Sequence, residues 1–476
     1  MFFFFDEEPV MNRTNTTNLE FVKIKGLFGR YSVRLDFDKE VNVYIGENGL
    51  GKTTILNCVY YILKKRFDKL AEIDFDELVI KFKNEEQILI SIDDVIRYNY
   101  HMSGRRVYDD ETINVLINDI FYGYNSDVFS AYNSMEDRIE IATRKLFRMT
   151  HMPLVLCRQA VKEYLNDGRI RLTDEKGDYR KIEKLCNIVD KKINQRIIYL
   201  TTYRRIENDF TNLIRKEDDY LESDILIRFG MSDVENSINK ILNLIRENSR
   251  ESFNKMTSIL LKQYSSPEEI RNTFLSQYKI DMDMLKIILD RLGNEIADKD
   301  KTLILSLLNN GEIYNRNYSY LLNLIIKLIE NFKKQQIYDD KINKFVNTCN
   351  KYLNGKSFFY DQSELKIYVE LELLPGKLQR VELSKLLSKL SSGEKQIVSL
   401  FSKLFLENEK DSILIIDEPE LSISINWQRM LLPDIMRSDN CKLLLTVTHS
   451  PFIFENEFDT DAKDMRACID FNYGGR

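Results

Sequence analysis

Short alternating runs open the chain. After Leu19 it reads F-V-K-I-K, then Y-S-V-R-L-D-F, then V-N-V-Y-I-G, with apolar residues at every second position or filling the run. That pattern predicts three short strands before Gly46. Thr53–Lys65 then reads as a helix. D-E-L-V-I-K-F-K and Q-I-L-I-S-I, flanking N-E-E, predict a hairpin over Asp76–Ile92. Residues 110–196 are mostly helical in pattern, and residues 206–355 are helix-rich and poor in Gly and Pro. Tyr320–Phe332 carries an apolar stripe wider than a coiled-coil seam, which predicts packing against more than one neighbour. Ser319–Tyr352 as one helix would be roughly 50 Å long at 1.5 Å per residue. That length predicts an arm rather than a very long coiled coil. Strand character returns after Gly355 in S-F-F-Y and L-K-I-Y-V-E-L-E-L, then in S-I-L-I-I-D (Ser412–Asp417) and L-L-L-T-V-T (Leu443–Thr448).

Strand-rich segments thus flank a helical excursion. The simplest topology is one α/β unit split by a long insertion. The expected organisation is a poorly ordered arm over 1–17, a first lobe over 18–205, a helical insertion over 206–355 and a second lobe over 356–476.

The chain has 476 residues, which fits two or three structural units, and a hydrophobic content of 43% is ample for a sizeable core. A net charge of −6 and a pI near 5.6 give no global reason to bind nucleic acid or an anionic membrane. One stretch departs from this balance. Over residues 142–216 basic residues outnumber acidic ones by about two to one. That is either a solvated helical face or a docking surface for a partner or for DNA. Six cysteines (Cys58, Cys157, Cys186, Cys349, Cys441, Cys468) show no C-x-x-C spacing. Their scatter argues against a disulfide framework or a zinc site and suits a reducing compartment. The start, M-F-F-F-F-D-E-E-P, is apolar for only five residues, so no secretory signal is expected. No run approaches the ~20 apolar residues of a membrane span. The expectation is a soluble cytoplasmic protein.

Three segments carry candidate chemistry. G-E-N-G-L-G-K-T-T, Gly46–Thr54, fits the phosphate-loop pattern G-x-x-x-x-G-K-[ST] and lies between a predicted strand and a predicted helix. Glycines at Gly46, Gly49 and Gly51 let backbone N–H groups, those of Glu47 and Asn48 among them, crowd round phosphate oxygens. Lys52 reaches the β and γ phosphates, and the Thr53 hydroxyl is a ligand for Mg²⁺. S-I-L-I-I-D-E-P-E is a buried strand followed by two acids. Asp417 can hold the metal through water, and Glu418 is placed to polarise an attacking water. His449 ends a third buried strand, where it is either structural or a sensor of the γ-phosphate. In S-S-G-E-K-Q, Ser391 and Ser392 can cap a helix, and Gly393 permits close approach of a phosphate.

The order phosphate loop, L-S-S-G-E-K-Q, D-E-P-E, T-H-S-P resembles the ABC-type ATPases, the class that includes SMC-like repair proteins and the overcoming-lysogenization-defect proteins. The resemblance implies an ABC-type ATPase head, a P-loop NTPase of α/β class, split by a long helical insertion. It implies ATP and Mg²⁺ as cofactors, and a homo-oligomer, at least a dimer, in which two chains sandwich two ATP molecules. Ser391, Ser392 and Gly393 would then touch ATP held by the other subunit, and His449 would be the switch. Two departures stand out. Ser424 occupies the place where many soluble members carry histidine. No convincing glutamine marks the family's Q-loop, although the predicted strand Arg196–Glu207 falls at its place. Arg204 and Arg205 there can contact phosphate or a partner subunit, or pair with Glu207.

In size and motif order the chain further resembles ATPase subunits of bacterial anti-phage systems, most nearly the AriA-type subunits of PARIS, with the PtuA-type subunits of Septu as the near alternative. The likeness covers residues 19–60 and 355–455. It implies a sensor and scaffold that oligomerises, holds a separate TOPRIM-type nuclease effector and releases it when a phage-encoded trigger protein is sensed. Only 27 residues follow His449, so a nuclease domain in this chain is not expected. The alternatives are an SMC- or RecF-like DNA-binding repair ATPase and a structural assembly that binds ATP without useful turnover.

Overall fold

The computed structural model describes residues 15–102, 110–122, 135–150, 154–167, 178–201, 231–265, 280–292, 296–374, 377–383, 387, 390–407, 411–438 and 440–471. Its centre is a parallel sheet of five strands. Their order across the sheet is β12 (Ala462–Asp464), β3 (Val41–Ile45), β11 (Cys441–Thr448), β10 (Ser412–Asp417) and β6 (Arg196–Leu200). Strands from both ends of the chain interleave here, so everything between them leaves the sheet and returns.

Period-two alternation sorts the side chains of β10 between two cores. Ile413 and Ile415 face one core with Tyr44, Tyr199 and helix α1 (Lys52–Leu63). Leu414 and Ile416 face the other. The first core is closed by an antiparallel sheet of order β13 (Ile469–Asp470), β2 (Tyr31–Asp36), β1 (Leu19–Leu27), β4 (Glu77–Phe82) and β5 (Ile88–Ser91). The expected strands before Gly46 and the hairpin over Asp76–Ile92 are all present. Asn15 and Thr17, at the end of the stretch expected to be a loose arm, are instead buried. The Asn15 amide donates to the carbonyls of Leu19 and Phe37, which fastens this segment to the first sheet. Residues 1–14 lie outside the described residues.

The helical parts form two satellites and one strut. After α2 (Ile92–Met102), helices α3 (Asp110–Tyr122), α4 (Met135–Thr150) and α5 (Leu154–Asp167) bury Ile113, Ile117, Leu146 and Val161 in a small core of their own. α6 (Tyr179–Lys192) then leads into β6. Further on, α7 (Met231–Ser265) packs on the second core of the main sheet through Val234, Ile238 and Ile245. Helices α8 (Met282–Arg291) and α9 (Asp298–Asn309) gather round Ile325, Ile329 and Phe332.

The strut is α10, Ser319–Asn350, a single helix of 32 residues. The sequence predicts one helix here with more than one neighbour for its apolar stripe, and one helix forms with both halves covered. Its first half sits in the α8–α9 core, and its second half (Ile342, Phe345, Val346, Cys349) is buried in the main core. Three antiparallel strands follow: β7 (Lys356–Asp361), β8 (Lys366–Leu374) and β9 (Lys377–Glu382). The chain then enters α11 (Ser392–Phe405) and, after β10, α12 (Ile425–Met436). Among the described residues no helix is long and apolar enough to cross a membrane.

One buried ion pair fastens the insertion. Arg291 ends α8 and meets Asp339 of α10 at 2.7 Å, with their side chains 8% and 2% exposed. Tyr360 donates to the same carboxylate at 2.6 Å, and Arg291 Nε donates to the Gln362 carbonyl. Removing one partner of such a pair leaves a buried charge unanswered. Asp339→Ala is therefore expected to destabilise the insertion by about 3–5 kcal/mol, measured as a lower urea midpoint. A change inside about 0.5 kcal/mol, the range of an ordinary surface substitution, would show that the pair does not fasten it.

Candidate functional site: the carboxyl ends of three parallel strands

β3, β11 and β10 are neighbours and run the same way, so their carboxyl ends open onto one crevice. The sequence places a functional segment at each end. Gly46–Gly51 follows β3, His449 follows β11, and Asp417 and Glu418 close β10.

The loop after β3 takes a shape that only small residues allow. Gly49 and Gly51 have φ of +89° and +72°. A Cβ on Gly51 would stand 2.8 Å from the Phe28 ring and from the Tyr31 hydroxyl. That hydroxyl donates to the Leu50 carbonyl at 2.6 Å, which braces the loop from outside. α1 then starts at Lys52. Its first N–H groups have no intrahelical acceptor, so the loop and the helix start together make a cradle of donors for phosphate.

The side chains converge across the three strands. Lys52, 5% exposed, donates to the Glu47 carbonyl, contacts His449 Nε2, and lies 3.9 Å from Glu418 Oε1. His449 Nε2 is 3.4 Å from the same carboxylate oxygen. Thr53 Oγ1 donates to Asp417 Oδ2 at 2.7 Å. Burial pulls the Lys52 ammonium below its ordinary range, and Glu418, Asp417 and Glu420 partly counter that. The structure therefore brings Lys52, Thr53, Asp417, Glu418 and His449 into one cluster. Gly46, Glu47, Asn48 and Thr54 lie along the same loop and helix start. The Glu47 carboxylate is held by Arg466, which leaves its backbone N–H as the group the loop offers a phosphate.

Glu418 has a φ of +51°, in the left-handed region, and its N–H is tied to the Val447 carbonyl at 2.9 Å. A non-glycine residue held there is a strained residue kept in place by its surroundings. The result aims the carboxylate into the crevice between Lys52 and His449.

A hard cation fits this set. Thr53 and Asp417 offer two oxygens already in contact, the donor chemistry Mg²⁺ takes. Among the described residues no group of three or more His, Cys, Asp or Glu side chains could hold a metal ion. The remaining ligands would be nucleotide oxygens and water, as Mg²⁺ commonly takes in NTPases.

The signature turn is built differently from the expectation. Ser391 caps α11, and Ser392 is the first helical residue rather than a second cap. Glu394 reaches back to the Ser391 N–H at 2.8 Å and to its hydroxyl at 2.9 Å, and Lys356 reaches Glu394 at 2.9 Å. Burial works against the Glu394 carboxylate, but the Lys356 ammonium and the Ser391 donors outweigh it and hold its pKa below the usual range. Ser391 and Ser392 stay exposed. Gly393 is demanded by its own chain: a Cβ there would stand 2.2 Å from the Ser422 carbonyl oxygen and 3.4 Å from the Trp427 ring. Arg204, Arg205 and Glu207 lie outside the described residues, whereas β6, which leads to them, pairs with β10. Ser424 is exposed at the start of α12 and makes no side-chain cap.

Sequence reasoning missed a second layer. Glu420 accepts from the His449 N–H at 2.7 Å and from the Thr448 hydroxyl at 2.8 Å. Gln428 of α12 accepts from the Ser450 hydroxyl at 2.6 Å. These groups fix the backbone that carries His449. The last acid of D-E-P-E was a visible signal for the first of them.

The sequence has a counterpart among known families. A family model, the AAA_15 "AAA ATPase domain", matches residues 18–454. The chain belongs to the AAA_15 ATPase family. It is an ATPase. Among curated proteins, the AAA_15 chain is similar to the DNA replication and repair protein RecF. It is 23% identical over 181 residues to the RecF of Clostridium kluyveri, which covers 37% of this chain and 46% of that protein. It is 24% identical over 319 residues to that of Clostridium botulinum, covering 59% and 87%. The chain thus spans about half the length of the first of these relatives and most of the second. Among solved structures it aligns with the Smc head domain with an extended coiled coil bound to the C-terminal domain of ScpA, derived from Pyrococcus furiosus. That alignment has 14% identity and a TM-score of 0.34, and covers 92% of this chain and 91% of the other.

Proposed function

We propose that two copies of this ATPase sandwich two ATP molecules, each copy completing the other's site with its Ser391–Gly393 turn. The Ser391–Glu394 turn supports this reading. It is a helix start braced by a capping box, with two exposed serines, and its glycine is pressed on the chain's own Ser422. Gly46–Thr54 holds the nucleotide, with Lys52 on the phosphates. Thr53 and Asp417 would hold Mg²⁺, which when bound neutralises phosphate charge. Glu418 is the base that orients the attacking water and takes its proton. His449, set by Glu420, faces the terminal phosphate and reports its presence.

A mixing experiment tests the shared site. Lys52→Ala loses the cradle's cation, and Ser392→Arg blocks the exposed turn. Each variant alone is expected to be inactive. A mixed pair regains one intact site, so an equimolar mixture should recover about a quarter of wild-type phosphate release, the statistical share for a two-fold pair. A mixture no more active than its parts would sink the shared site.

What the closing controls is the finer question. We infer a protein partner: a sensor and scaffold of an anti-phage complex that holds a separate nuclease and releases it on meeting a phage protein. The acidic balance of the chain, −6, supports a protein rather than bare duplex as the thing held. The similarity to RecF supports a second reading, DNA binding by the closed pair. ATP-dependent binding of plain duplex that falls steeply with salt, measured by anisotropy, would decide for the second.

A further inference from the structure

A cavity of about 790 Å³ lies between α7, α8 and α10, lined also by Leu365 before β8. This volume is in the range of small-molecule sites. Three arginines reach it: Arg246 and Arg250, one turn apart on α7, and Arg291 at the end of α8. Arg291 is answered by Asp339. Among the described residues Arg246 bonds only to the Asn243 amide oxygen and the Leu365 carbonyl, and neither it nor Arg250 has a carboxylate partner there. One acid, Glu247, also lines the space and is exposed. Arg291 Nη1 and Asp339 Oδ2 are buried polar atoms without a hydrogen-bond partner among the described residues. Buried groups of this kind are normally satisfied, by protein, water or ligand. The opposite wall offers amide groups at Asn331 and Gln335 beside the apolar Leu328 and Phe332, and Arg291 already lies over the Phe332 ring at 4.6 Å.

We propose that this cavity is a second ligand site, separate from the ATP crevice, for a small phosphate-bearing molecule with a flat, hydrogen-bonding body, of mononucleotide size. Guanidinium forks recognise phosphate oxygens in pairs. Amide groups beside apolar walls suit the polar edge and flat faces of a base. The site is connected to the signature turn. α7 and the second half of α10 share the core that holds Ile397, Val398 and Phe401 of α11. A ligand clasped between α7, α8 and α10 therefore bears on the helix that carries Ser391–Gly393, and binding is expected to change ATP turnover.

The experiment titrates the full-length chain, its ATP crevice filled with ADP and Mg²⁺, with AMP, GMP, UMP and inorganic phosphate by calorimetry. At least one mononucleotide is expected to bind saturably, one per chain. Arg250→Glu, an exposed substitution on α7, should weaken it tenfold or more. Lys52→Ala, which disables the other site, should leave it unchanged. Absence of saturable binding by every mononucleotide in the millimolar range would overturn the proposal. So would binding lost in Lys52→Ala but kept in Arg250→Glu. A mononucleotide that binds no more tightly than inorganic phosphate would overturn recognition of the body.

Discussion

Glu418→Gln is expected to lower the rate of phosphate release by about 10²–10⁴-fold, the usual contribution of a positioned base, while ATP binding is kept. The amide matches the carboxylate in shape, so the left-handed turn at Glu418 and its bond to the Val447 carbonyl should survive. What disappears is the charge and basicity of the carboxylate that lies 3.9 Å from Lys52 and 3.4 Å from His449. Lys52 is also relieved of a neighbouring negative charge, so affinity for the phosphates should hold or rise. The consequence is a trapped state. With ATP the variant should accumulate as a closed pair by native mass spectrometry, whereas on the proposed cycle wild type is expected to open after each turnover. Equal turnover in the two proteins would show that Glu418 is not the base and would return the chain to the class that binds ATP without using it.

The second large effect is at Gly393. An alanine there sets a Cβ 2.2 Å from the Ser422 carbonyl oxygen, about 1 Å inside ordinary contact. Ser422 cannot retreat cheaply, because it already holds a φ of +68° beside the strained Glu418 turn. The helix start must shift instead, and it carries Ser391 and Ser392 with it. A misplacement of about 1 Å in a catalytic group can cost about 10²-fold, so turnover should fall by that order. A fluorescent ATP analogue should still bind the Gly46–Thr54 loop with wild-type affinity. Full turnover in Gly393→Ala would separate the turn from catalysis.

The sequence made the crevice legible because its parts are local. A buried run such as S-I-L-I-I-D is a strand wherever it sits, and glycines ahead of Lys52 need no distant partner to form a loop. The same holds for the hairpin over Asp76–Ile92 and the single helix over Ser319–Asn350. What was not legible depends on contacts far apart in the chain. β12 and β13 are strands of three and two residues, too short for any period, yet they join both large sheets. Between them Arg466 takes hold of Glu47. The anchoring of Arg291 by Asp339 and Tyr360 has no sequence signature either, since each residue taken alone reads as surface. The apolar stripe of Tyr320–Phe332 announced that this helix would be covered by more than one neighbour, but not by which. The reason for Gly393 was only half visible, because the carbonyl that excludes a side chain belongs to Ser422, beyond an intervening strand.

The 32-residue helix Ser319–Asn350 spans about 48 Å at 1.5 Å per residue. One end is gripped by a small peripheral core and the other by the core beneath the signature helix. Such a rod is a lever with its fulcrum inside the engine. A tilt of about 10° at the inner end sweeps the outer end through about 8 Å, given that length. Motions too slight to see beside a phosphate would arrive at the periphery as a stroke wide enough to open or shut a grip on another molecule.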